Sequence, residues 1–243
     1  MADGIYVALS GAIAQTQNLD VTAQNLANAS TDGYQRLRPV FHEELARASS
    51  QAGGYHYAEM TATQNDTTRG PLRATGRALD FAMPEGTYLA VATPRGDRYT
   101  RAGSLQVGLD GTLRTANGAA VLAEDGRTIT IPGDSGVPSV DPSGRVMQGD
   151  EMRARLKLVS FPQPGMLDHE TGALMVATPQ AGVPAPAQGP LEIGQIEESN
   201  ANVLSSMTDL VQASRTFEAF QRVIDTFRDA DRTVVTTVPN VST

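Results

Sequence analysis

Few residues in this chain are spaced to do chemistry. Its three histidines, His42, His56 and His169, lie far apart, whereas metal sites draw ligands at defined spacing, often two His within one helical turn. There is no Cys, which removes thiolate ligands, thiol nucleophiles and disulfides. Adjacent carboxylates occur at Glu43-Glu44, Glu124-Asp125 and Glu197-Glu198. Two carboxylates are what a glycan-cleaving enzyme needs, but acids side by side read as solvated charges. With no Trp and 5% aromatic residues, there is little to build a sugar platform. Ser10-Gly11 and Gly103-Ser104 lack the strand-before, helix-after context of a nucleophile elbow. Arg95-Gly96-Asp97, a tripeptide that some cell-surface receptors read, follows Pro94 and is explained by a hairpin turn. The spacing predicts no catalytic residue, no cofactor and no metal.

The densest polar stretch is NLANASTDGYQR, Asn25 to Arg36. It offers amides, hydroxyls and a glycine, which are hydrogen-bonding groups rather than proton donors or nucleophiles. Asn and Gly here fit helix-terminating chemistry. Asn25 and Asn28 are expected to bond backbone groups at the helix end and on neighbouring copies. Gly33 is expected to take a sharp turn, Tyr34 to pack, and Arg36 to face an acidic neighbour. Arg36, Arg38 and Arg47 make the following segment mildly basic.

Helix-period segments bracket the chain and must position that stretch. Ile5, Leu9, Ala12, Thr16, Leu19, Ala23 and Leu26 alternate steps of four and three, the a/d pattern of a coiled coil. The seam is narrow and small-residued, and Gly4 and Gly11 weaken the helix further. Near the other end, Val203, Met207, Leu210, Ser214, Phe217, Gln221 and Ile224 repeat the alternation. The stretch ESNAN, Glu198 to Asn202, supplies N-cap candidates before it. Between the helices, from about Gly86 to Ile196, the signals are short strands and tight turns. Asp110-Gly111, Asn117-Gly118, Asp125-Gly126 and Ser143-Gly144 mark turns. Thr128 to Ile131, Leu156 to Phe161, Leu174 to Ala177 and Leu191 to Ile196 read as strands. Thr178 to Pro190 is a Pro/Ala/Gly loop.

Composition bounds the function. A formal net charge of −8 argues against a nucleic-acid binder, which needs a basic stripe. The first residues, MADGIYVALSGAIAQTQ, lack the basic start and unbroken apolar core of a secretory signal. No stretch has the length of a membrane span, so no membrane insertion is expected. The expected fold class is α+β: terminal helices pairing as a coiled-coil-like hairpin, with a central, mainly antiparallel all-β domain; the pattern equally fits packing of the two seams with other copies in a helical layer. The expected divisions are a discontinuous helical assembly domain at 1–30 and 200–243, an extended linker at 31–80 and the β domain at 81–199.

These residues carry a resemblance. LDVTAQNLANASTDGYQRLRPVF, Leu19 to Phe41, resembles the N-terminal signature of bacterial flagellar rod and hook proteins, an Asn-Leu-Ala-Asn core followed by Ser/Thr and Gly-aromatic-basic. ESNANVLSSMTDLVQASRTFEAFQRVI, Glu198 to Ile224, is similar to that family's C-terminal signature. GTYLAVATPRGDRYTRAGSLQVGLDGTLRTANGAAVL resembles its β-domain opening, in which Tyr-Thr-Arg precedes Gly-Ser. The opening GIYVALSGAIAQTQNLD is most similar to the proximal-rod branch; distal-rod and hook branches are the alternatives. Gln24 and Ser214 depart from the commoner Asn and Gln.

The resemblance implies a structural subunit of the flagellar basal-body rod. It would leave the cell through the flagellar export apparatus without a cleavable signal, and polymerise beneath a rod cap. Its partners would be other copies of itself and other rod proteins, in a tube that crosses the periplasm, forms the export channel and transmits torque. The assembly residues it implies are Ile5, Leu9, Leu19, Asn25, Leu26, Asn28, Gly33, Tyr34 and Arg36 at one end. At the other they are Asn200, Asn202, Met207, Leu210, Arg215, Phe217, Glu218 and Ile224. The contrasting reading is a periplasmic glycan-acting enzyme or a ligand-binding β domain.

Overall fold

The computed structural model describes residues 2–46, 55–133 and 136–237. Helix α1 spans Ala2–Ala27 and helix α2 spans Val203–Thr237. Every strand whose pairing register is defined between them pairs antiparallel. The chain divides into two compact units. One holds the described residues within Met1–Leu26, Arg38–Thr63 and Val203–Thr243; the other holds Ala27–Leu37 and Gln64–Asn202.

In the helical unit, α1 and α2 touch through glycines. A Cβ on Gly4 would stand 2.8 Å from the Phe227 ring, and one on Gly11 would stand 2.5 Å from the Phe220 ring. Both pairs step by seven residues in opposite directions, so the helices run antiparallel. Each glycine forgoes about 1 kcal/mol of helix propensity relative to Ala. In return it leaves a notch that an aromatic ring fills. The residues buried on α1 are small or polar: Ala8, Ala12, Ala14, Val21, Thr22 and Asn25. On α2 they are Ser206 and Ala213. The expected seam is therefore displaced. Ala12 is buried, but Leu9 is 46% and Met207 49% exposed. Glycine notches admit the Phe220 and Phe227 rings closely, and larger side chains such as Leu9 are turned outward.

Within the segment expected as an extended linker, the described residues include paired strands. Strands Leu37–Ala46 and Tyr55–Asn65 form a two-stranded sheet. Strand Leu72–Ala74 pairs with Gln195–Glu197 in the register Leu72 to Glu197.

The β unit is organised around Thr87–Thr93, which pairs with Gly96–Thr100, Ala120–Val121 and Leu158–Ser160. Its alternate side chains enter two cores. Leu89 and Val91 join Phe81, Met83, Leu105, Leu113 and Val146 on one side. Tyr88 and Ala90 join Tyr99, Phe161, Leu167 and Met175 on the other. Burial on both faces explains why YLAVA reads as an unbroken apolar run instead of an alternation. The four predicted turn glycines, Gly111, Gly118, Gly126 and Gly144, all have positive φ. The Arg95-Gly96-Asp97 tripeptide lies in the hairpin between Thr87–Thr93 and Gly96–Thr100. Two expectations shift. Thr128 to Ile131 contributes only isolated bridges at Thr128 and Thr130. Leu191 to Ile196 breaks into Glu192–Ile193 and Gln195–Glu197 at Gly194, whose φ is +74.

Candidate functional site: a joint stitched from both ends

The chain leaves α1 at Ala27 through a tight polar turn. The Thr31 N–H donates to the Asn28 carbonyl at 3.0 Å, and the Tyr34 N–H donates to the Thr31 carbonyl at 3.2 Å. The Thr31 hydroxyl donates to Asn28 Oδ1 at 3.3 Å. Gly33 has φ +70, and a Cβ there would lie 2.3 Å from the Ala102 backbone nitrogen. Its N–H donates to the Glu197 carbonyl at 2.8 Å. Left-handed backbone and close approach together restrict this position to glycine.

Beyond Gly33 the chain is fastened to the C-terminal signature. Asn200 Oδ1 accepts the Arg36 N–H at 2.6 Å. Its Nδ2 donates to the carbonyls of Asp66 and Thr68, both at 2.8 Å. The Arg36 guanidinium meets Asp66 at 2.9 Å. Tyr34 is 1% exposed, with its ring edge-on to His169 at 5.1 Å, and burial pushes its phenol up to about 12. The neighbouring Gln35 accepts the buried Tyr88 hydroxyl at 3.1 Å.

Beneath the joint sits an ion pair that the sequence did not disclose. Arg101, from the Tyr-Thr-Arg segment, is 1% exposed. Its Nε donates to both carboxylate oxygens of Glu197 at 3.1 Å, and its Nη2 donates to Oε2. The Nη1 group donates to the Thr87 carbonyl at 2.8 Å and the Pro84 carbonyl at 3.1 Å. Glu197 also accepts the Gly70 N–H at 3.1 Å. The Glu197-Glu198 pair expected as solvated charge is thus split: Glu197 is 2% exposed, while Glu198 meets Arg73 at 2.7 Å on the surface. Strand alternation could have shown this, since neighbours in a strand point to opposite faces.

The remaining expected assembly residues lie on the helices. Asn25 is buried in the last turn of α1, Asn28 follows its end, and Asn202 directly precedes α2. Ile5, Leu19 and Leu26 are half-buried on α1, as are Leu210, Phe217 and Ile224 on α2. Leu9, Met207, Arg215 and Glu218 are exposed. The joint residues come together around Glu197 and Asn200.

Among the described residues no chemistry-bearing cluster competes with the joint. Among the described residues no group of His, Asp and Glu could hold a metal ion; the side chains of His42, His56, Glu43 and Glu44 fall outside them, as does Arg47. A groove of about 560 Å³ is lined by Pro142, Pro184, Pro186, Pro190, Arg155 and Lys157. Its one carboxylate, Glu124, lies 3.9 Å from Arg155. An acid and base pair would need two carboxylates.

The same three pieces are the ones shared with known proteins. Residues 5–35 match the flagella basal body rod protein family, 85–148 the D1 domain of flagellar hook proteins FlgE/F/G, and 193–237 the C-terminal region of rod proteins FlgEFG. The rod protein FlgF of Escherichia coli is 32% identical over 94% of this chain and 95% of its own length. The chain belongs to the flagellar basal-body rod protein family. FlgF of Mesorhizobium japonicum is 30% identical over 90% of each chain. The rod protein FlgG of Bacillus subtilis is 27% identical over 93% of this chain and 95% of its own. As a family member the chain is a structural protein of the basal-body rod, not an enzyme. Among the described residues no helix is long and apolar enough to cross a membrane.

Two predictions follow from the geometry of the joint. Gly33→Ala should cost more than about 3 kcal/mol in urea unfolding, since left-handed strain adds to a backbone clash. Gly118→Ala serves as its control: φ is +83, but nothing lies within 4 Å of the added Cβ, so strain alone should cost about 1–2 kcal/mol. The second concerns His169, whose imidazole burial pushes down to about 4. Between pH 6.5 and 4 the unfolded chain binds this proton and the folded chain does not. The stabilisation from His169 is therefore complete above pH 6.5 and is lost as pH falls through 4. It amounts to up to about 3 kcal/mol. Comparing urea midpoints across that window with His169→Phe, which keeps a ring against Tyr34, should show a shallower slope in the variant.

Proposed function

We propose that this subunit polymerises through its terminal helices into the proximal rod, and that the β unit is the body they carry. The observation that supports this most is an outward apolar face on each helix. Tyr6, Leu9 and Ile13 on α1 are 56%, 46% and 52% exposed. Leu204, Met207 and Val211 on α2 are 73%, 49% and 50% exposed. Both triplets follow the spacing i, i+3, i+7, which aligns side chains along one helix face.

Because the helices run antiparallel, the two triplets sit at opposite ends of the helical pair. A seam at one end meeting the different seam of the next copy is a heterologous contact. Such contacts propagate into open polymers instead of closing into a dimer. The Gly4–Phe227 and Gly11–Phe220 contacts support a coiled-coil-like hairpin as the unit that adds. In this reading the assembly domain consists of the two ends, 1–30 and 200–243. Within it Leu19, Leu26, Phe217 and Ile224 tie the helices to each other, while Leu9 and Met207 meet a neighbour. The charged residues Arg215 and Glu218, exposed on α2, set its register. Asn25, Asn28 and Asn202 complete the helix ends, and Gly33, Tyr34, Arg36 and Asn200 fix the turn that follows α1.

The further parts of the reading come from the family. The rod forms part of the export channel and carries torque, and the subunit reaches it through the flagellar export apparatus beneath a rod cap. A distal-rod place is the second reading, favoured by the FlgG likeness; locating tagged subunits along isolated basal bodies separates the two.

Replacing Leu9 and Val211 together by Lys should leave the monomer's thermal midpoint within a few degrees, because both side chains are already solvated. The same variant should fail to enter basal bodies and should not swim. Normal incorporation would remove the outward seams from the assembly. Leu26→Asp with Phe217→Asp should behave differently and lower monomer stability as well.

A further inference from the structure

Glu197 connects the joint through both its side chain and its backbone. Its carboxylate neutralises Arg101 and accepts the Gly70 N–H, its carbonyl accepts the Gly33 N–H, and its backbone pairs with Leu72. These partners come from three separated stretches of sequence, and the Arg101 contact alone spans 96 residues. Arg101 is the largest fully buried side chain among the described residues. Carbonyls of Thr87 and Pro84 satisfy part of its guanidinium, but carbonyls carry no net charge, and a buried cation without a counter-charge is strongly unfavourable.

We infer that Glu197 is a latch whose seating on Arg101 closes the joint, so that the fixed conformation of residues 27–36 depends on the C-terminal segment being in place. Before Glu197 arrives, the site around Arg101 holds an uncompensated positive charge, and Gly33 lacks the carbonyl that receives its N–H. Seating Glu197 supplies both at once. The turn of residues 27–36 and the strand Gln195–Glu197 are therefore completed in one event. An incomplete chain presents neither in its final form. The latch acts within one chain and does not depend on which surface meets a neighbouring subunit.

Native-state hydrogen exchange on the full chain with Glu197→Gln tests this. The Gly70 amide bonds the Glu197 side chain directly, so its exchange reports the altered side chain itself. The Gly33 amide bonds only the backbone carbonyl, which the substitution keeps. A latch predicts that Gly33 exchange quickens tenfold or more alongside Gly70, while the sheet amides of Ala90 and Leu122 change less. Unaltered protection at Gly33 would overturn the latch. Should Glu197→Gln fail to fold, Arg101→Met combined with Glu197→Gln removes the uncompensated charge. Recovery of the fold and of Gly33 protection in the double variant supports the latch; a double variant that is equally unfolded rejects it.

Discussion

A guanidinium in a protein core is an expensive object. Moving a charge out of water costs several kcal/mol even after relaxation, and a counter-charge offsets this only when the remaining donors are also satisfied. Arg101 meets both conditions: the Glu197 carboxylate takes Nε and one Nη2 proton, and backbone carbonyls take Nη1. The arrangement fixes more than its own two residues. It locates the strand Gln195–Glu197 against Leu72–Ala74, and it brings the Glu197 carbonyl to Gly33. Removing one partner leaves the other charge stranded. The bonds that Glu197 makes to Gly33 and Gly70 are therefore the ones most exposed to loss of the pair.

From that anchor the molecule divides its interactions by kind. In the β unit, polar groups are spent inside the chain. Asn200 bonds the Arg36 N–H and two carbonyls, and Tyr34 and Gln35 lie buried beside it. In the helical unit, apolar groups are left unspent. Gly4 and Gly11 of α1 meet the Phe227 and Phe220 rings of α2, while Tyr6, Ile13 and Leu204 face outward. A rigid, satisfied joint and an unsatisfied helical surface are complementary properties in a building block: one fixes geometry, and the other supplies the drive to associate.

Much of this was legible from sequence because it rests on local rules. Helix periods gave both helices, and the turn dipeptides gave positive-φ glycines. The two terminal signatures gave the family. What escaped depends on contacts between distant residues. Glu197 beside Glu198 reads as solvated charge until a strand assignment sends the two to opposite faces. Nothing local marks Arg101 as buried. The a/d alternation placed Leu9 and Met207 in a seam, but periodicity identifies a stripe and not whether it meets the other helix or another copy. Gly4 and Gly11 registered only as costs to helix propensity, although they are the notches for Phe227 and Phe220.

The outward seams are also limited in strength. Burying the exposed half of a large aliphatic side chain gains about 1 kcal/mol. The six seam residues on one contact therefore supply several kcal/mol, comparable with the 4–15 kcal/mol that association costs in translational and rotational freedom. One seam-to-seam contact is too weak to hold two free subunits together at low concentration. In the proposed assembly, a subunit added at the end of a tube would meet more than one neighbour, and freedom lost once would be offset by several contacts. Weak pairwise seams would then favour growth at an existing end over association in solution.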